Sequence, residues 1–159
     1  MDGFQAYQDR LWYAVFIFGR YFLLRGRKEV TFLLWDQVRF LTTAEDDKQV
    51  EFVKVIQKFY NGGPINLNNT TAWCVKEITP HVYPNENDPL CPIKFLKFFK
   101  SLCPPEQTQV FCKPFNKVQR KQYIQENLPY KYNQNLVLGE HTIITATKEF
   151  VERMGFKEW

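Results

Sequence analysis

Apolar positions are densest in the first part of the chain, where they leave no clear polar face. Residues 4–24 contain Trp12, Phe16 and Phe18 among many other large apolar side chains. A helix that is apolar on nearly all sides is usually buried in the centre of a fold. We therefore predict a buried helix across most of residues 4–24.

The pattern then changes to shorter apolar runs and turn residues. Residues 30–40 are consistent with a short helix running into a strand, and periodicity alone does not separate the two. Residues 49–60 alternate in part and end at the sequence NGGP, where glycine supplies a positive φ and proline ends strand pairing. This predicts a strand followed by a turn, with a second strand over residues 73–78.

Proline marks the next helix. Pro92 suits the first turn, where its missing N–H is not needed, and the helix continues through Lys100 until two prolines end it. Residues 110–112 form a short apolar strand candidate. Residues 113–135 are polar and aromatic, and we expect them to be mainly loop.

A last helix is predicted over residues 142–154, with Gly155 as its C-cap. The order helix, sheet, helix, loop and helix indicates an α+β protein, mainly helical with a small antiparallel β-sheet. Neither a repeat nor a domain boundary is visible, so residues 1–159 are expected to form a single domain.

Composition excludes several classes of protein. The 159 residues are 45% hydrophobic and 17% aromatic, which excludes a disordered chain. The longest apolar stretch, residues 11–24, is interrupted by Gly19 and Arg20 and is too short to span a membrane. The first residues have none of the features of a signal peptide, so we expect a protein that is not secreted and has no membrane partner.

Metal and cofactor chemistry is not indicated. The cysteines are too far apart for a C-x-x-C metal site, and only His81 and His141 could assist them. Free thiols in a reducing compartment are the expected state. Motifs for nucleotide binding or hydrolysis are missing, so we expect no cofactor. The four cysteines are Cys74, Cys91, Cys103 and Cys112.

A net charge of +4 permits a nucleic-acid partner without establishing one. The cations form three clusters, which are either ordinary solvated surface or parts of one positively charged surface that binds DNA. The first cluster comprises Arg20, Arg25, Arg27 and Lys28, the second Lys94, Lys97 and Lys100, and the third Lys113, Lys117, Arg120, Lys121 and Lys131.

Four segments in order resemble the catalytic domain of tyrosine recombinases, most closely the Crypton-type branch, whose relatives occur in zinc-finger MYM-type nuclear proteins. Residues 18–30 (FGRYFLLRGRKEV), followed by LWD, resemble the box with the first catalytic arginine. Residues 55–63 (VIQKFYNGG) are similar to the hairpin with the catalytic lysine, and residues 87–94 (NDPLCPIK) to a Cys-Pro-Val element. Residues 138–150 are similar to the segment before the His-x-x-Arg box.

The resemblance implies a tyrosine that attacks a DNA phosphodiester, an arginine that neutralises the transition state and a lysine that protonates the departing 5′-oxygen. It assigns Arg25 or Arg27 to the arginine and Lys58 to the lysine. The alternatives are that both arginines are surface cations near a helix C-terminus and that Lys58 is a solvated strand lysine.

This chain departs from the family in its last part. Neither histidine begins a His-x-x-Arg box, and Tyr132 is the last tyrosine. We therefore expect a catalytically incomplete recombinase-like domain, nuclear or cytoplasmic, with DNA integration in its ancestry and duplex DNA as partner. The alternatives are a nuclear protein–protein interaction module or the N-terminal part of an active recombinase whose remaining residues follow. The module would expose an apolar surface around Phe95, Phe98 and Phe99, although we expect these side chains to be buried in the core.

Overall fold

The computed structural model describes residues 7–24, 27–56, 80–153 and 155. These residues form helices and two small antiparallel sheets, which confirms the α+β class; where one sheet was predicted, the described part contains two. The helices are α1 (Tyr7–Arg20), α2 (Arg27–Thr31), α3 (Pro92–Ser101), α4 (Lys117–Gln125) and α5 (Glu140–Arg153), and the strands are β1 (Val38–Glu45), β2 (Lys48–Val55), β3 (Cys112–Pro114) and β4 (Tyr132–Val137).

Helix α1 is the central element, as its apolar pattern predicts. Ala14, Ile17 and Phe18 are fully buried, and the helix packs against both α5 and α3. Asp9 in the first turn and Arg20 in the last complement the helix dipole. Because burying one large apolar side chain contributes about 1.5–3 kcal/mol, α1 is a main source of stability.

Strands β1 and β2 form a hairpin in continuous register from Val38↔Val55 to Glu45↔Lys48. Asp46 and Asp47 close it with positive φ angles of 48° and 63°, which aspartate tolerates better than most residues. The predicted helix-to-strand order in residues 30–40 is confirmed, since α2 and a 3₁₀ turn precede β1. The predicted turn at residues 61–64 and strand at 73–78 lie outside the described residues.

Helix α3 begins at Pro92, as predicted, and brings the aromatic core together. The Phe99 ring lies 6.0 Å from Trp35, 6.3 Å from Phe111 and 5.4 Å from Tyr132 between centroids. Phe95 is also fully buried. The expected burial of Phe95 and Phe99 in the core is therefore confirmed, and Phe98 packs against the core partly buried.

The expectation that residues 113–135 are mainly loop is wrong. Asn116 caps α4 reciprocally with Gln119, each side chain accepting a hydrogen bond from the backbone N–H of the other, at 3.1 and 2.9 Å. β4 then pairs with β3, which begins at Cys112 rather than at Val110. A polar helix gives little hydrophobic periodicity, so its local cap is the more informative signal.

Helix α5 confirms the prediction for the last part of the chain, beginning two residues earlier than expected. Gly155 follows it with a φ of +81°, and its N–H donates to the Glu152 carbonyl at 3.1 Å. Glycine adopts this left-handed conformation without steric cost. Ile143, Ala146 and Val151 bury one stripe of the helix.

Candidate nucleic-acid interface

The three catalytic candidates cannot be placed relative to one another. Arg25 and Lys58 lie outside the described residues. The backbone of Arg27 begins α2, whereas its side chain is also outside the described part. The roles that the resemblance implies for Arg25, Arg27 and Lys58 therefore stay predictions.

The cations of the first cluster that are described belong to separate helices. Arg20 is the last residue of α1, and Lys28 lies in α2. Both are exposed. Each is accessible to a ligand, but nothing in their local geometry orients them on a common target.

The lysines of α3 each have a local partner. Lys94 Nζ donates to the backbone carbonyl of Glu86 at 3.2 Å, and Lys97 forms an ion pair with Glu51 of β2. Lys100 Nζ lies 5.2 Å from the centre of the Phe40 ring and 5.8 Å from that of Trp35, within range of a cation–π contact. These contacts connect α3 to its neighbours, and they use part of the charge that a DNA phosphate would require.

Helix α4 is different because it has no buried residue. With 3.6 residues per turn, positions i, i+3, i+4 and i+7 share one side of a helix. That side carries Lys117, Arg120, Lys121 and Ile124, all exposed, and is called the α4 basic face below. Among the described residues, none of its three cations forms an ion pair.

An aromatic contact next to the α4 basic face attaches the helix to the fold. Tyr123 stacks on Phe115 with ring centroids 4.6 Å apart and an interplanar angle of 11°. Tyr130 meets the other side of Tyr123 edge-on at 5.7 Å. This contact attaches α4 to the fold, while Lys117, Arg120 and Lys121 remain exposed.

Lys113 and Lys131 extend the charge beyond α4. Lys113 lies in β3, and Lys131 immediately precedes β4. The Phe115 N–H donates to the Lys131 carbonyl at 2.9 Å, which keeps the two strand ends together beside the helix. The third cluster of the sequence therefore lies on a helix and at two paired strands, all five cations being exposed, although it was expected to be a loop.

Sequence reasoning missed a buried polar contact between α1 and β4. Arg10 is buried, and its Nε donates to the Tyr132 hydroxyl at 2.8 Å across 122 residues of sequence. Burial raises the pKa of Tyr132 to about 12, although the nearby arginine acts in the opposite direction. A buried neutral phenol of this kind is unsuited to attack a DNA phosphate. An arginine inside an otherwise apolar helix was the available signal.

The described cysteines are free and buried. Burial raises the pKa of Cys103 to about 12 and that of Cys112 to about 11, so neither thiol is reactive near neutral pH. Cys74 lies outside the described residues. In the described ranges no group of three or more metal-ligating side chains comes together.

No protein-family model, curated protein or solved structure matches this chain. The helices of the described part are all too short or too polar to cross a bilayer.

Proposed function

We propose that this chain is a tyrosine-recombinase-like domain that binds duplex DNA through the α4 basic face and does not itself cleave it. The observation that carries the proposal is the combination in α4 of three exposed cations without described ion-pair partners and no buried residue. Lys113 and Lys131, both exposed, add positive charge at the strands that precede and follow α4 in the chain.

The dimensions of α4 agree with this role. With its side chains an α-helix is about 10–12 Å in diameter, and the major groove of B-DNA, about 12 Å wide, admits one such helix. The capping by Asn116 and the Tyr123 stack hold the helix in place before any ligand arrives, which lowers the entropic cost of binding.

We expect binding without cleavage because residues 1–159 lack catalytic groups that the family uses. The sequence contains no His-x-x-Arg box, and the last tyrosine, Tyr132, is buried in a hydrogen bond with Arg10. Removing members of a catalytic group that act as a unit costs orders of magnitude in rate. The resemblance to recombinases supports DNA as the partner and an origin in DNA integration.

The test is fluorescence anisotropy with labelled duplex DNA between about 50 and 200 mM salt. We compare the wild-type chain with the triple variant Lys117→Gln, Arg120→Gln, Lys121→Gln and with Lys148→Gln, an exposed control on α5. Each phosphate contact contributes about 0.9 to the magnitude of the slope of log affinity against log salt concentration. Without three such contacts, the slope of the triple variant should be smaller by about 2.7.

The control should bind as the wild type does. Undetectable binding of folded wild-type protein at the low salt concentration contradicts the proposal, as does an equal slope for the triple variant and the control.

A second candidate function is a nuclear protein–protein interaction module. The observation in its favour is the exposure of Val118 and Ile124 on α4, at 76% and 69%. This candidate predicts that duplex DNA fails to bind and that replacing Ile124 with Lys abolishes capture of a protein partner from nuclear extract.

A further inference from the structure

The β1–β2 hairpin has two faces of different chemistry, because side chains alternate along a strand. Val38, Val53 and Val55 lie on the inner face and are buried in the core. Arg39 and Lys54 lie on the opposite face. We call this second face, with Leu41 and Phe52, the outer hairpin face.

Two cations oppose each other on the outer hairpin face. Arg39 pairs directly with Lys54 in the strand register, which brings their Cβ atoms within about 4.5–5.5 Å. Like charges directly opposite each other destabilise a sheet. Among the described residues neither side chain forms an ion pair, so the repulsion is not relieved there by a carboxylate. An anion placed between them would remove it.

Aromatic rings stack beside this cation pair. Val82 exchanges two backbone hydrogen bonds of 2.9 Å with Val53 along the outer edge of β2, so its neighbours project toward the outer hairpin face. The His81 ring stacks on Phe52 with centroids 4.7 Å apart at 24°. Tyr83 lies 5.9 Å from Phe52 and remains 49% exposed.

We propose that the outer hairpin face binds single-stranded nucleic acid, with a phosphate between Arg39 and Lys54 and an unpaired base against the rings of His81 and Tyr83. Sites for single strands combine a positively charged track with aromatic side chains on which bases stack. Phe52 and Lys54 are two residues apart on one strand, about 7 Å, so the stack and the cations are adjacent.

Two features favour this ligand over others. Bases in a duplex are already stacked on their neighbours, so the exposed rings select an unpaired strand. An acidic peptide would use the cations but not the rings. The acidic turn Asp46–Asp47 at the far end of the hairpin repels phosphates, which confines the strand to the end with Arg39 and Lys54.

The experiment measures anisotropy of a labelled oligothymidylate of about 12 nucleotides, long enough for a single site of this kind. The variants are Arg39→Gln, Lys54→Gln and Tyr83→Leu, the last of which retains apolar area but removes the ring. The controls are Lys148→Gln and Phe32→Ala, both at exposed positions away from the hairpin. Thermal unfolding without ligand checks the fold of each variant.

Tyr83→Leu should bind at least about fivefold more weakly, since stacking contributes about 1–3 kcal/mol per base. Because both cations contact the same phosphate, the double variant Arg39→Gln, Lys54→Gln should reduce the salt slope by about 0.7, and each single variant by less. Lys54→Gln should also unfold at an equal or higher temperature than the wild type, because it removes the like-charge pair. The controls should bind as the wild type does.

The proposal is independent of the duplex interface on α4. Substituting the three α4 cations should leave oligothymidylate affinity unchanged, and Arg39→Gln should leave duplex affinity unchanged. Failure of wild-type protein to bind the oligonucleotide at low salt overturns the proposal. A second result would also overturn it: polyglutamate competes for the site as well as unlabelled oligonucleotide does, and Tyr83→Leu has no effect on binding. An acidic peptide would then be the ligand.

Discussion

Helices α3 and α4 carry the same sequence signal and play different parts in the fold. Each has three basic residues at helical spacing. In α3, five residues are buried and every lysine has a local partner, whereas α4 buries none and its cations have no ion pair in the described residues. The number of cations on a helix therefore does not measure its capacity to bind DNA.

The difference arises from what each helix packs against. The inner side of α3 is a row of phenylalanines, which draws it into the core and brings its lysines beside Glu51, Phe40 and Trp35. In the part of the chain that the structure describes, helix α4 buries no residue and is attached through the stacking of Tyr123 on Phe115. Weak attachment keeps its other sides in solvent, where a lysine retains its full charge for an external phosphate.

The largest expected contrast between the helices is in stability. Phe99→Ala on α3 should lower the free energy of unfolding by about 3–5 kcal/mol, because it empties a fully packed aromatic site. Ile124→Ala on α4 should change it by no more than about 0.5 kcal/mol, since the side chain is exposed. Urea denaturation of both variants measures this, and similar losses for the two would abolish the distinction.

A smaller loss in the free energy of unfolding is expected at alkaline pH, because ionisable groups beside α3 are buried. The pKa of Tyr132 is raised from 10.0 to about 12, so the unfolded chain releases this proton at lower pH than the folded one. The contribution of the neutral Tyr132 phenol to the free energy of unfolding is therefore fully present below pH 10. About 2–3 kcal/mol of it is lost as the pH rises from 10 toward 12. Denaturation curves across this range should show a shallower decline for Tyr132→Phe.

If the free energy of unfolding of Tyr132→Phe declined with pH as steeply as that of the wild type, the phenol of Tyr132 would make no contribution to the pH dependence. Cys103, whose pKa is also raised to about 12 by burial, adds to the decline in the wild type.

The smallest expected effects come from replacing a single lysine on each helix. Lys97→Gln should leave duplex affinity nearly unchanged and lower the free energy of unfolding by at most about 1 kcal/mol, which is typical of an exposed ion pair. Lys117→Gln should reduce the salt slope of duplex binding by about 0.9 with little change in stability. Anisotropy and urea titrations on the same samples measure the duplex affinity and the free energy of unfolding of both variants. A reduced salt slope for Lys97→Gln with an unchanged slope for Lys117→Gln would contradict the roles assigned to α3 and α4.

Much of the fold follows from local signals. The apolar density around Phe18 predicts α1, Pro92 predicts the start of α3, and Gly155 predicts the end of α5. The hairpin turn was missed because Asp46-Asp47 lacks the glycine that usually marks such turns. Helix α4 was missed because only its cap at Asn116, and no apolar stripe, announces it.

The candidate sites were less predictable than the fold. The sequence places Lys94 and Lys97 in a predicted helix and Lys117 and Lys121 in an expected loop, and neither assignment shows which of the four lysines has a partner. The pairing of Arg39 with Lys54 depends on strand register, which the predicted elements did not define. The buried Arg10–Tyr132 contact joins residues 122 positions apart.

The sequence alone determined the class of fold, the aromatic core and the ends of several helices, because each depends on a few neighbouring residues and their backbone angles. Only the tertiary structure decided which cations have partners, which rings stack and which helix stays in solvent. A lysine on a helix meets an acid, a ring or water according to the element that packs opposite it, and that element is usually distant in the chain.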